Sequence, residues 1–427
     1  MQKLNTRRLV IPALIAVAFS GSASAAGFQL MEQNASGIGN AYAGSAAVAE
    51  NASTIFFNPA GMTQLKKIEV SGGVSAVGTS FKYTDTGSSG TGFLAGTGTG
   101  GDGGGWGFIP NGYASWGVTK DLYVGIGIGA PFGLKTSYDD RWVGAAQSTE
   151  FDVKTYNINP SVAYRVNDVV SLGAGLSWQR VEATYKRLTA VSAAGVASPL
   201  KLNLDDDAWG WNIGALFTIT PQTKVGVSYR SKVEYHTKGK INIDGTLAGL
   251  TSEAKADITL PDTFILSATH KLNDRVELLG DVSWTGWSSI PKVDIMRATA
   301  TVNGAFAAGT LAQTLDTEFR DTWRVALGAN YKLNNDLTLK TGIAYDQTPV
   351  KGASTRLVSL PDNNRTWLSL GAQWKATKDL TLDGGATYLF VKDSKIDNDQ
   401  TALGRGRVTG DYAASVWLFG VQASMAF

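Results

Sequence analysis

Over residues 408–427, one set of alternate positions reads Trp417, Phe419, Val421, Ala423, Met425 and Phe427, all apolar. The interleaved set includes Gly410, Tyr412, Gly420, Gln422 and Ser424. A strand sends successive side chains to opposite faces, so this segment has one face fit for lipid and one fit for something wetter. The same alternation recurs along the chain, while no apolar run is long enough for a transmembrane helix. Strands cross a bilayer only as a closed barrel, because lipid cannot satisfy a free backbone edge.

Short turn signals punctuate the alternating runs: Thr119-Lys120-Asp121, Asn167-Asp168, Thr220 to Thr223 with Pro221, Asn273-Asp274, Asn334-Asn335-Asp336 and Thr377-Lys378-Asp379. Six such turns separate seven two-stranded blocks, which predicts an all-β, fourteen-stranded antiparallel transmembrane barrel with short turns at one rim and long loops at the other. The predicted strands are 67–83, 106–118, 122–136, 149–166, 169–188, 207–219, 224–242, 254–271, 275–296, 317–333, 337–349, 363–376, 380–393 and 406–427. Several exceed the roughly 9–11 residues that a tilted strand needs, so the excess is expected to stand outside the bilayer as a collar.

Residues 26–66 break the pattern. They are rich in Ala, Gly, Asn and Ser, and Asn34-Ala35-Ser36-Gly37 and Asn51-Ala52-Ser53-Thr54 read as turns or caps around short helical segments. Composition leaves two readings open, a periplasmic leader or a plug inside the lumen. Residues 84–105 form a Gly/Ser/Thr-rich stretch with a formal G-x-G-x-x-G at Gly96, Gly98 and Gly101. A nucleotide loop needs a following helix, which the pattern does not predict, so a surface loop is expected.

Composition supports the barrel. The chain carries 50 Gly and 12 Trp with only 17% charged residues, a balance that suits barrel strands and interfacial aromatics better than helices. It has no Cys, and His236 and His270 are its only histidines. Thiol chemistry, disulfides and histidine-rich metal sites are thereby excluded, and no metal or cofactor is expected. Lys3, Arg7 and Arg8 lie ahead of the apolar run Leu9–Phe19 and of Ala23-Ser24-Ala25. Residues 1–25 therefore read as a secretory signal peptide. Without it the chain holds 35 basic and 36 acidic residues, which argues against nucleic acid as a partner. Export, strands and no stop-transfer helix point to the outer membrane of a Gram-negative bacterium.

The stretch GFQLMEQNASGIGNAYAGSAAVAE, followed by Asn58-Pro59-Ala60, closely resembles the FadL family of outer-membrane long-chain fatty-acid transporters. APFGL at Ala130–Leu134, FRDTWRVALG at Phe319–Gly328, SLPDNNRTWLSLG at Ser359–Gly371 and the terminal VWLFGVQASMAF extend the resemblance along the chain. It implies a fourteen-stranded barrel (67–427) with an N-terminal hatch of short helices (26–66) in its lumen. It also implies passive inward movement of hydrophobic molecules through an internal pocket, with sideways exit at a kink in the third strand. The kink falls on Pro131-Phe132-Gly133, where alternation fails after Leu122–Ala130. Read from residues alone, that strand either bends there or simply ends at Ala130.

The family's carboxylate-binding basic pair aligns with Arg187 and Arg320, and Phe28 resembles its ligand-touching residue. Parity places Arg187 with Ser171, Gly173, Gly175, Ser177 and Gln179 on the inner face. It places Arg320 with Thr322 and Arg324, opposite Phe319, Trp323, Val325 and Leu327. Arg is suited to a carboxylate because its planar fork pairs bidentately. A structural role in holding the hatch remains open for both arginines, as does plain packing for Phe28. Arg324, Arg365 and Asp362 are expected to dock the hatch, and Asn58-Pro59-Ala60 to fix its path into the first strand. Residues Leu188–Asp206 read as a loop, too short to carry over the family's outer capture groove.

The expected partners are a long-chain fatty acid, or alternatively another hydrophobic compound such as an aromatic hydrocarbon. Outer-membrane lipid and lipopolysaccharide would surround a monomer. An enzyme is not expected: neither histidine sits in a hydrolase motif, and no G-x-S-x-G occurs. A general water-filled porin would lack the plug.

Overall fold

The computed structural model describes residues 27–90, 98–191 and 196–427. The expected signal peptide, residues 1–25, lies outside them, as does Gly96. Twenty strand segments make one sheet. They are β1 (Ile68–Asp85), β2 (Trp106–Gly117), β3 (Leu122–Gly129), β4 (Gly133–Ser137), β5 (Glu150–Arg165), β6 (Val170–Val191), β7 (Ala197–Thr220), β8 (Thr223–Arg230), β9 (Val233–Ile243), β10 (Ser252–Leu260), β11 (Thr263–Lys271), β12 (Val276–Thr285), β13 (Lys292–Arg297), β14 (Leu311–Asp316), β15 (Thr322–Lys332), β16 (Leu337–Asp346), β17 (Arg365–Lys375), β18 (Leu380–Val391), β19 (Ser394–Asp399) and β20 (Arg407–Ala426). The pairs β3/β4, β8/β9, β10/β11, β12/β13, β14/β15 and β18/β19 are halves of broken strands, so the segments resolve into fourteen antiparallel strands. β1 pairs with both β2 and β20, which closes the barrel.

The breaks correct the sequence reading. Predicted strands 224–242, 254–271 and 275–296 are interrupted at 231–232, 261–262 and 286–291. Conversely, most of Leu188–Asp206, expected as loop, is paired strand: β6 and β7 run beside each other out to Val191 and Ala197. Leu200, Leu202 and Leu204 turn inward there while Lys201 and Asp205 face out, an alternation that continues the strand. Among the described residues of the glycine-rich stretch none is helical, and β2 begins at Trp106, where a nucleotide loop would need a helix.

Outward positions such as Leu172, Leu176, Ile213, Leu327, Leu370 and Val421 are exposed apolar side chains. Such a continuous apolar surface is stable only against lipid.

Residues 27–66 lie inside this wall, as a plug and not a leader. Their helical pieces are short, Ile38–Asn40, Thr54–Phe57 and Pro59–Gln64, and they depend on the wall for burial. Wall glycines admit the hatch backbone: a Cβ at Gly226 would stand 1.9 Å from the Ala46 carbonyl oxygen, and one at Gly342 2.3 Å from that of Asn40.

Polar anchors fix the plug in place. Lys340 Nζ donates to Ser36 O at 3.1 Å and pairs with Glu50 at 2.8 Å and Asp383 at 3.1 Å. Arg324 pairs with Asp281 at 3.5 Å and donates to Ala41 O. Asp362 accepts from Gly27 N at 2.9 Å and from Arg365 Nε at 3.1 Å. Asn58 accepts from Ala60 N at 3.1 Å and donates to Ala46 O at 2.7 Å and, in the wall, Ala215 O at 2.9 Å. The Asn58-Pro59-Ala60 motif thus starts a helical turn with Pro at its first position and ties the turn to β7.

Candidate functional site

Three features align along the lumen above the hatch. The first is the break in the third strand. β3 follows β5 to Gly129, opposite Asn157, and β4 resumes at Gly133, opposite Lys154. Ala130, Pro131 and Phe132 therefore face only Thr155 and Tyr156, a bulge of one residue. On the other side β3 pairs with β2 only over Gly112–Gly117, and β4 has no pairing with β2. The outer half of β2, from Trp106 to Asn111, thus lacks a neighbour on that side. A narrow crevice occupies the opening, lined by Phe108, Ile109 and Pro110 of β2 and by Ala130, Phe132 and Leu30. Pro110 lacks the N–H that would otherwise need a partner.

The start of the hatch satisfies the broken ladder. Leu30 N donates to Pro131 O and Gly133 N to Phe28 O, both at 2.8 Å. Gln33 Nε2 reaches Ala130 O at 2.7 Å, and Phe132 N donates to Thr155 Oγ1 at 2.8 Å. A strand interruption at membrane depth is tolerable on these terms, because protein supplies the bonds that lipid cannot.

The second feature is an apolar cavity, lined by hydrophobic and aromatic side chains as small-molecule sites commonly are. Its walls come from β5, β6, β7, β10 and β13, with Val153, Val181, Leu204, Leu260 and Ile295 among the lining residues. Phe28 and Phe319 also line it. Phe28 lies 4.9 Å from Trp287 and 5.9 Å from Phe132, ring centre to ring centre. Phe132 lines the crevice, so the Phe28–Phe132 pair is the partition between cavity and crevice.

The third feature is a cavity further out, lined by Arg187, Arg297 and Arg405 with Gln313. It shares Leu202 and Ile295 with the apolar cavity, so the two adjoin. Arg187 Nε donates to Gln313 Oε1 at 2.9 Å.

Of the residues singled out from sequence, Phe28, Arg187, Pro131, Phe132 and Gly133 fall on this path. Arg320 does not. Phe319 points into the apolar cavity, and Arg320 is exposed on the other face, its Nε donating to Thr348 O at 3.3 Å. The expectation failed because parity was carried across a break. Between β14 and β15 the backbone is irregular, with Glu318 in the left-handed region at φ 44°, so the alternation of Thr322–Lys332 does not extend to Arg320. Sequence reasoning also missed Arg297, Arg405 and Trp287. Trp287 and Arg297 sit at and beyond the Gly286–Pro291 break, and Arg405 in the turn before β20, where no periodicity could place them.

Residues 16–427 match the family described as outer membrane protein transport protein (OMPP1/FadL/TodX). Outer membrane protein P1 of Haemophilus influenzae is 31% identical, over 100% of both chains. The long-chain fatty acid transport protein of Escherichia coli K12 is 27% identical, over 99% of this chain and 100% of that one. The crystal structure of a Pseudomonas aeruginosa FadL homologue superposes with a TM-score of 0.86 at 26% identity, covering 94% of this chain and 100% of the other. The closed barrel, its plugged lumen and these likenesses agree: the chain belongs to the FadL/TodX family of outer-membrane proteins that transport hydrophobic compounds.

Proposed function

We propose that this chain is a passive conduit for long-chain fatty acids. One observation carries the reading. An apolar cavity long enough to line five strands adjoins an arginine-bearing cavity outside it and, past two phenylalanines, a crevice that opens through the wall. A fatty acid has the matching parts. Its carboxylate pairs with Arg187, and its tail gains about 0.8 kcal/mol for each CH₂ taken from water. Phe28 is read as the residue that meets the tail at the inner end. Exit is assigned to the gap beside Pro131-Phe132-Gly133, where the outer half of β2 has no strand partner. Arg320 is left out of the carboxylate site. The outward apolar belt is read as contact with membrane lipid. Exposed Lys201, Lys238, Lys240 and Lys255 above it are read as contact with lipopolysaccharide.

The test is uptake of oleate against toluene in a strain lacking its own transporter of this family. Oleate uptake dependent on the protein is the expected result. Toluene uptake without oleate uptake would transfer the route to neutral hydrocarbons.

A further inference from the structure

The outer cavity holds more positive charge than one carboxylate uses. Arg187, Arg297 and Arg405 line it, and no acidic side chain does. Among the described residues none of the three forms an ion pair; their hydrogen bonds go to neutral groups. Arg187 donates to Gln313 Oε1 at 2.9 Å and Leu188 O at 3.2 Å. Arg297 Nη1 donates to Leu250 O at 3.0 Å and Ser252 Oγ at 2.9 Å. Arg405 Nη1 donates to Gln400 Oε1 at 3.2 Å.

One donor is left without any partner, Arg297 Nε, on a side chain more than nine-tenths buried. A buried donor left unmade is costly, and more so when it is charged. Three guanidinium groups in one recess repel one another unless an anion joins them. The recess is also partly apolar. Phe306 lies under the Arg297 guanidinium at 4.9 Å, and Leu250 and Leu403 line the same space.

We propose that this cavity is a binding site for a doubly charged oxyanion head group of the phosphate-monoester class, carried on an alkyl chain. The proposal rests on the reading above that the tail occupies the apolar cavity, and it names the head group that the same path prefers. A carboxylate offers one charge and two oxygens, which Arg187 alone can pair. A phosphate monoester offers about −1.5 to −2 charge at neutral pH and three terminal oxygens. That answers the surplus arginines and gives Arg297 Nε an acceptor. Arg–phosphate pairing is also commonly bidentate. Arg297 and Arg405 are accordingly assigned to the head group, in the place that the sequence had suggested for Arg320.

The experiment is calorimetric titration of the whole protein, in non-ionic detergent, with dodecyl phosphate and with laurate. It compares wild type with an Arg297→Gln, Arg405→Gln double variant, whose folding is checked by heat-modifiable electrophoretic mobility. Near pH 8, dodecyl phosphate is expected to bind wild type at least about tenfold more tightly than laurate. Against dodecyl sulfonate, which stays singly charged throughout, the preference should shrink near pH 5, where the phosphate also carries about one charge. In the double variant the preference over laurate should fall to about threefold or less, with dodecyl phosphate losing more affinity than laurate.

Equal affinities in wild type, or a preference that survives the double variant or the pH change, overturns the head-group assignment and leaves the tail cavity standing. If neither amphiphile binds, the tail-cavity reading falls together with it. A double variant that fails to fold leaves the wild-type comparison and its pH dependence to decide.

Discussion

Arg187 and Arg320 differ by a single fact of backbone geometry. Arg187 lies on an unbroken run of β6, so counting by twos from Ser171 reaches it correctly. Arg320 lies between two strand segments, and the count fails there. The difference predicts opposite outcomes. Arg187→Gln should weaken oleate binding by about ten- to a hundredfold, the scale of a charge-assisted hydrogen bond of about 1.5–3 kcal/mol, and should leave oleyl alcohol binding unchanged. Arg320→Gln should alter neither, as ligand titration of the purified variants will show.

A second residue-scale prediction concerns Glu32 in the hatch. Its carboxylate is buried, and burial pushes its pKa up to about 7 against the pull of its own backbone N–H. Arg365 and Arg324 oppose that rise and Asp346 adds to it. An acid whose pKa is higher folded than unfolded favours the folded state at low pH. That contribution fades as pH climbs from the unfolded value of 4.5 through about 7. Glu32→Gln should therefore gain on wild type in melting temperature as pH rises across this window. The gap at the top of the window should be on the order of 3 kcal/mol. Parallel melting curves at every pH would show that Glu32 is not the buried acid described.

At the scale of elements, the third strand carries function through what it omits. Pro131 and Gly133 interrupt β3 and β4, and the hatch residues Phe28 and Leu30 take over the missing bonds. Pro131→Val with Gly133→Thr restores strand-forming residues, and a β4 that pairs with Trp106–Asn111 would close the crevice. Oleate uptake is then expected to fall at least about tenfold while binding in detergent persists, since the cavity is untouched. Full uptake would place the exit elsewhere.

The same element shows how far the sequence could be read. Loss of alternation at Pro131 was visible, and fourteen strands followed from turns and periodicity. The bulge of one residue, the breaks at 231–232, 261–262 and 286–291, and the lost neighbour of β2 were not visible. Each is set by pairing between segments distant in sequence, and strand propensity does not encode register. For the same reason Leu200, Leu202 and Leu204 were given to a loop, although their spacing already marked an inner face.

For the whole molecule, the decisive property is that barrel and hatch are complementary surfaces. The hatch contributes the floor of the cavity through Phe28 and the seal of the wall through Leu30 and Gln33, and it has little core of its own. Its backbone reaches the wall where glycines stand. Gly226→Val and Gly342→Val should fold as barrels, because both positions lie within otherwise regular strands. The added side chains would meet Ala46 and Asn40 and displace the hatch. Ion conductance in planar bilayers is expected to rise from near zero in wild type to that of an open pore in the variants. Wild-type conductance like that of a porin would contradict a plugged lumen.

The route itself is tested most directly by a photoreactive fatty acid bearing a diazirine at the end of its tail, taken up by the protein in liposomes and cross-linked. Peptide mapping should place adducts on cavity residues such as Phe28 and Leu260 and on the crevice residues Phe108 and Pro110, with the second group lost when the third strand is straightened. Labelling confined to the outer barrel surface, or absent from both groups, would contradict a path through the lumen and out through the wall.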